Sequence, residues 1–426
     1  MKILVVGGGG REHALIKKLR EDPRVTEIFA LPGNGGIAAD ATCVPVEAKD
    51  IPGIVRFARE NVVDFAVVAP DDPLVLGAVD ALEALGVPCF GPNARAAAIE
   101  GSKVFSKNLM KKYNIPTAAY VVFDEAEAAL SYIERAPLPI VVKADGLALG
   151  KGVTIAATHA EAAQAVHDLM RERIFGESGA RIVIEEFMEG PEVSVLAFVD
   201  GETLVPMVSV MDHKRALDGD TGKNTGGMGT IAPNPFYTPA IARECEERIF
   251  KPSMHAMNAE GRPFRGCIFF GLMLTKNGPK LIEYNCRFGD PETQVVLPLL
   301  ETSLLTAMQA VQSKKLSETE IRFSNRAACC VVLASQGYPG ACENGTPLSI
   351  PAEGPDEHIY VAGARRTDAG LVSHGGRVLG VTALGDSLRE AVGRAYALCD
   401  RVQFPRGFCR RDIGARALAA LESEED

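Results

Sequence analysis

The sequence predicts a multidomain chain of mixed α/β and α+β class: an N-terminal parallel sheet, a central section of hairpins and glycine-rich loops, and a small C-terminal α+β section. Three observations predict it. Short β-branched runs alternate with helical patterns over the first hundred residues, the mark of βαβ units. After Ser102 the strands come in hairpin-like pairs, and after about residue 325 short strands and glycines dominate. At 426 residues and 47% hydrophobic, the chain exceeds what a single core supports, so two to four domains are expected.

Ile3 to Val6, Glu27 to Leu31, Phe65 to Val68 and Pro88 to Phe90 are the predicted parallel strands, with His13 to Leu19 as the first helix. Ser102 opens a helix running to Asn114, ahead of Pro116. Pro139 to Ala144 and Val153 to Ala157 form a hairpin, Ile182 to Ile184 and Val193 to Val199 are strands joined by a Gly-Pro hinge, and Leu281 to Gln294 contains another strand. The last section holds strands at Ala327 to Ala334 and around 374 to 381, and a helix near Ser387 to Cys399. Glu422 to Asp426 reads as a frayed acidic tail.

A net charge of −10 with no Lys/Arg block argues against nucleic acid as a partner. MKILVVGGGG lacks a signal-peptide core, and no run of about 18 apolar residues is present to cross a bilayer. A cytoplasmic protein is expected. The ten cysteines show no zinc or thioredoxin spacing and read as buried thiols.

The segment LIEYNCRFGDPETQ places Glu283, Asn285 and Arg287 two residues apart in an apolar strand, so the three share one face. Ile282, Tyr284, Cys286 and Phe288 then face a core. A carboxylate, a carboxamide oxygen and a guanidinium suit Mg²⁺ on a phosphate; a half-exposed strand with a polar outer face is the alternative. Gly7 to Gly10 sit between a strand and a helix N-terminus, a place for phosphate or carboxylate. A dinucleotide site is disfavoured there, because Glu12 or His13 stands where a third glycine belongs and Pro32-Gly33-Asn34 replaces the ribose-binding acid.

Lys143, Asp145, Gly146, Gly150, Lys151 and Gly152 form a glycine-rich hairpin loop without P-loop spacing, yet able to lie over a triphosphate. Glu185, Glu186, Phe187 and Glu192 flank the hinge, where acids could meet an adenine amine and ribose hydroxyls; solvated surface is the alternative. Asp212, His213, Lys214 and Arg215 lead into a long loop from Asp220 to Gly229, and such loops are functional or disordered. His213 reads as structural.

These residues together resemble the phosphoribosylamine–glycine ligase family of the ATP-grasp superfamily. GGREHAL at 9 to 15, PGN at 32 to 34, MDHKR at 211 to 215, NTGGMG at 224 to 229, EYNCRFGDPETQ at 283 to 294 and RRDIG at 410 to 414 carry the resemblance end to end. It implies a Rossmann-like N-terminal domain over 1–102, an ATP-grasp domain over 103–325 with a mobile lid at about 118–188, and a C-terminal domain over 326–426. The implied reaction is phosphorylation of glycine by ATP, followed by attack of 5-phosphoribosylamine on the acyl phosphate, a step of purine synthesis. A transfer of this kind needs positioning and charge neutralisation and no protein nucleophile.

By the same resemblance Glu283 and Asn285 hold Mg²⁺ or Mn²⁺ and Arg287 stabilises the transferring phosphoryl group. Lys103 and Lys143 contact ATP phosphates, Gly146 to Gly152 close over ATP, Glu185 to Phe187 form the adenine hinge, and Glu192 meets the ribose. Gly9, Gly10, Arg11, Glu12, Asn34, Asp212, Lys214, Arg215, Thr225, Gly226 and Gly227 face phosphoribosylamine and glycine. The protein is expected to act as a monomer on small molecules, with no nucleic acid or membrane partner. Two departures stand out: Ala69-Pro70-Asp71-Asp72 replaces the family's G-P-E-x, and Phe269 to Thr275 carries no second metal carboxylate, leaving Asp290, Glu292 or water for that place. A nicotinamide oxidoreductase, a non-catalytic nucleotide sensor and an ATP-grasp carboxylase are the rivals.

Overall fold

Five parallel strands open the chain in the spatial order Thr42–Cys43, Glu27–Pro32, Lys2–Gly7, Phe65–Val68, Cys89–Phe90. The computed structural model describes residues 1–148 and 151–425. Ile3, Leu4, Val5 and Val6 are all fully buried, as expected for a parallel strand covered on both faces. Strand order reverses beside Lys2–Gly7, and the crevice past the carboxyl end of such a strand is where open α/β sheets hold ligands. The glycine loop occupies that crevice, followed by the helix Gly10–Arg20.

The hinge separates two antiparallel sheets. Tyr120–Phe123, Ile182–Glu186, Ile140–Ala144 and Val153–Ala156 make a small sheet. The helices Ala126–Ile133 and His159–Val166 share with it a core of its own, built on Ile133, Val142, Val166 and Ile184. Across the hinge, Leu204–Pro206, Glu192–Asp200, Arg265–Thr275 and Gly278–Asn285 form the second sheet.

The register of that last strand corrects one expectation. Gly271 pairs with Glu283 but Leu272 with Leu281, so Ile282 is the extra residue of a bulge. A bulge lets two positions that strict alternation would oppose face the same way. Leu281 and Tyr284 therefore share the main core, while Ile282 packs against Ala118, Met188 and Met273 in a separate apolar cluster.

The C-terminal sheet is not made from the last hundred residues alone. Met211–Asp212 and Gly229–Ala232 join Ala327–Ser335, Arg377–Gly385 and Glu357–Val361 in it, with Gly407–Phe408 alongside. The helix Leu388–Arg401 covers this sheet and is capped by the Ser387 hydroxyl, which accepts from the Glu390 N–H. Between the two borrowed strands the expected loop is partly ordered as a hairpin, Arg215–Leu217 with Thr221–Asn224. No described helix is long and apolar enough to cross a membrane.

Candidate active site

Glu283 and Asn285 lie on the strand Gly278–Asn285, and Arg287 stands just beyond its end, in a bend. Burial pushes the Glu283 carboxyl up, but Lys143, Lys214, Lys103 and Arg287 around it outweigh that and hold it below the usual range. One ionised carboxylate thus sits among four cations, a field made for polyanions. Arg287 is not free, as the alternation suggested. Its Nη2 donates to Glu100 Oε1 at 2.8 Å and its Nη1 to the Phe288 carbonyl at 3.3 Å, while its buried Nε has no partner.

Asn285 is anchored by its amine side. Asn285 Nδ2 donates to Glu100 Oε1 at 2.9 Å, so the carboxamide oxygen is the atom left to act. No cluster of three or more His, Cys, Asp or Glu able to hold a metal exists among the described residues. A carboxylate plus one carboxamide oxygen is still the donor set that Mg²⁺ accepts when phosphates complete its shell. Asp290, one option for a further carboxylate, spends both oxygens inside the protein: Oδ1 accepts from Gln294 Nε2 at 2.8 Å and Oδ2 from the Arg11 N–H at 3.5 Å.

A second cluster centres on Glu185. Its Oε2 accepts from Lys107 Nζ at 3.0 Å and Lys143 Nζ at 3.1 Å, and its buried Oε1 has no partner. Lys103 begins the helix Lys103–Lys112 behind the cap Ser102, and its Nζ reaches the Gly146 carbonyl at 3.4 Å. The Gly152 carbonyl closes the hairpin onto the Ala144 N–H, and Lys151 is exposed; Gly150 lies outside the described residues. Glu186 Oε1 accepts from the Ala119 N–H and from Lys280. Glu186, Phe187, Met188, Glu189 and Gly190 wall a cleft of about 450 Å³ against Leu274 to Asn277 and Lys280.

Glu192 pairs with Lys214 at 2.5 Å. Burial opposes the Lys214 charge, yet Glu192, Glu283 and Asp212 raise its pKa above the ordinary lysine value. Burial, then the Glu292 charge, pushes the Asp212 carboxyl well above its ordinary range, and burial lifts Glu292 as well.

Glu12 folds back over the glycine loop: its carboxylate accepts from the Gly9 N–H at 2.5 Å and from Arg11 Nε at 2.6 Å. A Cβ on Gly7, whose φ is +119°, would lie 2.6 Å from the Glu12 Cγ, so only glycine fits. Gly10 approaches Gln294, with Nε2 2.8 Å from where its Cβ would be. Arg11 Nη1 donates to the Phe288 carbonyl, which ties the loop to the segment that follows the strand Gly278–Asn285. Asn34 is a brace: its amine donates to the Gly8 and Val361 carbonyls and its oxygen accepts from the Gly36 and Ile37 N–H groups.

Arg215 donates to the Gly222 carbonyl within its hairpin, and the Thr225 hydroxyl bonds the Lys214 carbonyl and the Gly227 N–H. His213 is structural and uncharged, because Nε2 accepts from the Gly414 N–H and Nδ1 donates to the Gly229 carbonyl, and burial lowers its pKa.

Glu100, Lys107 and Arg377 were missed from sequence. Lys107 follows Lys103 by four positions, a same-face helical spacing that could have pointed to it. Nothing local marks Glu100 or Arg377. Arg377 enters from the C-terminal sheet and donates through Nη1 to the carbonyls of Gly226 and Asp290, each at 2.7 Å.

Three profiles of one family match in order: phosphoribosylglycinamide synthetase N domain over residues 1–100, ATP-grasp (A) domain over 101–293, and C domain over 328–416. The phosphoribosylamine–glycine ligase of Agrobacterium fabrum is 47% identical over 420 residues, 98% of this chain and 99% of that one. The enzyme of the same name from Caldanaerobacter subterraneus is 45% identical over 415 residues, 97% of this chain and 100% of that one. Among solved structures, the phosphoribosylamine–glycine ligase of Thermotoga maritima superposes with a TM-score of 0.84 at 34% identity, covering 97% of this chain and 100% of its own. The biotin carboxylase domain of a Hydrogenobacter thermophilus 2-oxoglutarate carboxylase, solved with MgADP and bicarbonate, reaches 0.73 at 16% identity over 96% of this chain and 91% of that one, a likeness of fold.

Proposed function

The chain belongs to the phosphoribosylamine–glycine ligase family, and from that premise we propose how its residues divide the reaction. The enzyme is an ATP-dependent carbon–nitrogen ligase of de novo purine biosynthesis. It joins glycine to 5-phosphoribosylamine through glycyl phosphate and releases glycinamide ribonucleotide, ADP and phosphate. A glycine carboxylate oxygen attacks the γ-phosphorus and ADP leaves. The amine lone pair then attacks the acyl carbon, phosphate departs, and the amine gives up a proton.

Lys103, Lys143 and Arg287 neutralise the phosphates, and the buried Nε of Arg287 supplies an uncommitted donor. A divalent cation, Mg²⁺ or Mn²⁺, supplies charge stabilisation across the phosphates when bound, and Glu283 with the Asn285 carboxamide oxygen holds it. The adenine lies against Ala118, Met188, Met273 and Ile282, with Glu185 to Phe187 at its edge and Glu192 toward the ribose. The small sheet, within 118–188, closes over ATP. The glycine loop with Arg11, and Asp212, Lys214, Thr225, Gly226 and Gly227, face glycine and the phosphorylated amine; Asn34 and Arg215 support them from behind.

We assign domains to 1–102, 103–325 and 326–426, the middle one lending two strands to the last sheet, and infer a cytoplasmic monomer. The observation that carries the reading is Glu283 and Asn285 two residues apart on one strand with Arg287 just beyond it, and Lys103, Lys143 and Lys214 around the Glu283 carboxylate. Its test is ADP release from ATP and Mg²⁺ with glycine and phosphoribosylamine formed in situ from ribose 5-phosphate and ammonia, each component omitted in turn. Turnover that requires all of them sustains the reading, and ADP release indifferent to glycine overturns it.

A further inference from the structure

Glu100 lies in the last turn of the helix Ala94–Gly101, three residues before Lys103. Its side chain is 6% exposed, and it accepts three hydrogen bonds from three successive residues. Oε1 takes Asn285 Nδ2 at 2.9 Å and Arg287 Nη2 at 2.8 Å; Oε2 takes the Cys286 N–H at 2.7 Å. A buried carboxylate is costly unless satisfied in this way. All three donors belong to the strand end that carries the metal and phosphoryl groups.

The consequence for Asn285 is directional. A carboxamide has a donor end and an acceptor end, and the Glu100 oxygen that meets Asn285 already accepts from Arg287 Nη2, so it accepts from Asn285 as well. The donor end is therefore committed to Glu100, which leaves the oxygen as the end free for a cation; Glu283 stands two residues earlier on the same strand. Left alone, a carboxamide could present its NH₂ to a cation, which repels it.

We propose that Glu100 is the positioning residue that sets the Asn285 carboxamide for metal binding and holds Arg287 beside it. This rests on the reading of Glu283 and Asn285 as the metal ligands. Partners that orient ligands from outside the coordination shell govern affinity, and their loss typically costs about 10- to 100-fold.

The test is Mn²⁺ binding in the presence of ADP, read by loss of the free-ion electron paramagnetic resonance signal, with circular dichroism to check folding. Glu283→Ala serves as the control for the site itself. If it binds Mn²⁺ like the parent, the metal reading fails. If it loses Mn²⁺, the Glu100 variants decide the present proposal alone. Glu100→Ala is expected to weaken Mn²⁺ about 10- to 100-fold, because Asn285 Nδ2 and Arg287 Nη2 lose the one oxygen that holds both. Glu100→Gln keeps an acceptor for those two donors and turns its NH₂ toward the Cys286 N–H, the single donor on the other oxygen. It is expected to recover most of the affinity that Glu100→Ala loses, which separates positioning from the loss of a charge. Unchanged Mn²⁺ affinity in folded Glu100→Ala overturns the assignment, and so does a loss in Glu100→Gln equal to that in Glu100→Ala. Should Glu100→Ala not fold, Glu100→Met, which refills the space without an acceptor, takes its place with the same two outcomes.

Discussion

Lys107 and Glu185 meet at 3.0 Å with each side chain only 2% exposed, and Lys143 shares the same carboxylate oxygen at 3.1 Å. Two buried ammonium groups thus rest on one buried carboxylate. Removing that carboxylate leaves both stranded, so Glu185→Ala is expected to destabilise the protein by roughly 3–5 kcal/mol. Lys107→Met should cost less, since Lys143 still pairs the acid. Urea unfolding compares the two, and equal losses would contradict the shared-oxygen geometry.

Lys107 also predicts a pH dependence. Burial, opposed by Glu185 and aided by Lys143, lowers its pKa to about 8. The unfolded lysine titrates near its ordinary 10.5, so between about pH 8 and 10.5 the unfolded chain binds more protons than the folded one. Stability attributable to Lys107 therefore rises with pH across that window, the reverse of a paired surface lysine. The Tm of the parent should gain on that of Lys107→Met from pH 8 to 10; a constant difference would show that the amine is not depressed.

Glu283→Ala is expected to reduce kcat/KM at least about 100-fold while leaving the far-ultraviolet spectrum unchanged, since the carboxylate serves phosphate chemistry more than packing. Arg287→Ala should lose a similar factor and also roughly 1–3 kcal/mol of stability, because Glu100 keeps only two of its three donors. Parent-like turnover in either variant removes the metal-strand argument.

Gly227 has φ +115°, and a Cβ there would sit 2.5 Å from Pro291 Cδ and 2.7 Å from Asp212 Oδ1. Gly227→Ala is expected to cost roughly 1–3 kcal/mol through strain and displaced neighbours. On the proposed placement of Asp212 toward the substrates, the KM for glycine or phosphoribosylamine should rise while ADP affinity stays near the parent's. A variant whose ADP affinity falls equally would place this turn at the nucleotide instead.

Much of the architecture was legible in the sequence because its signals are local. Ile3 to Val6 read as a buried parallel strand since a chain covered on both faces needs an unbroken β-branched run, and Ser102 and Ser387 read as helix starts because their hydroxyls satisfy free N–H groups within three residues. The placement of Glu283 and Asn285 on one strand face also followed from a two-residue period. The bulge at Ile282 was not legible, because it arises from register against Arg265–Thr275 and not from its own neighbours. Glu100 reaches Asn285 across 185 positions, and Arg377 reaches the Gly226 carbonyl across 151. The sequence by itself determined the order of elements and the chemistry along each strand. Only the tertiary structure decided which buried charge faces which, since pairing inside a core depends on chain segments that packing, and not local propensity, brings together.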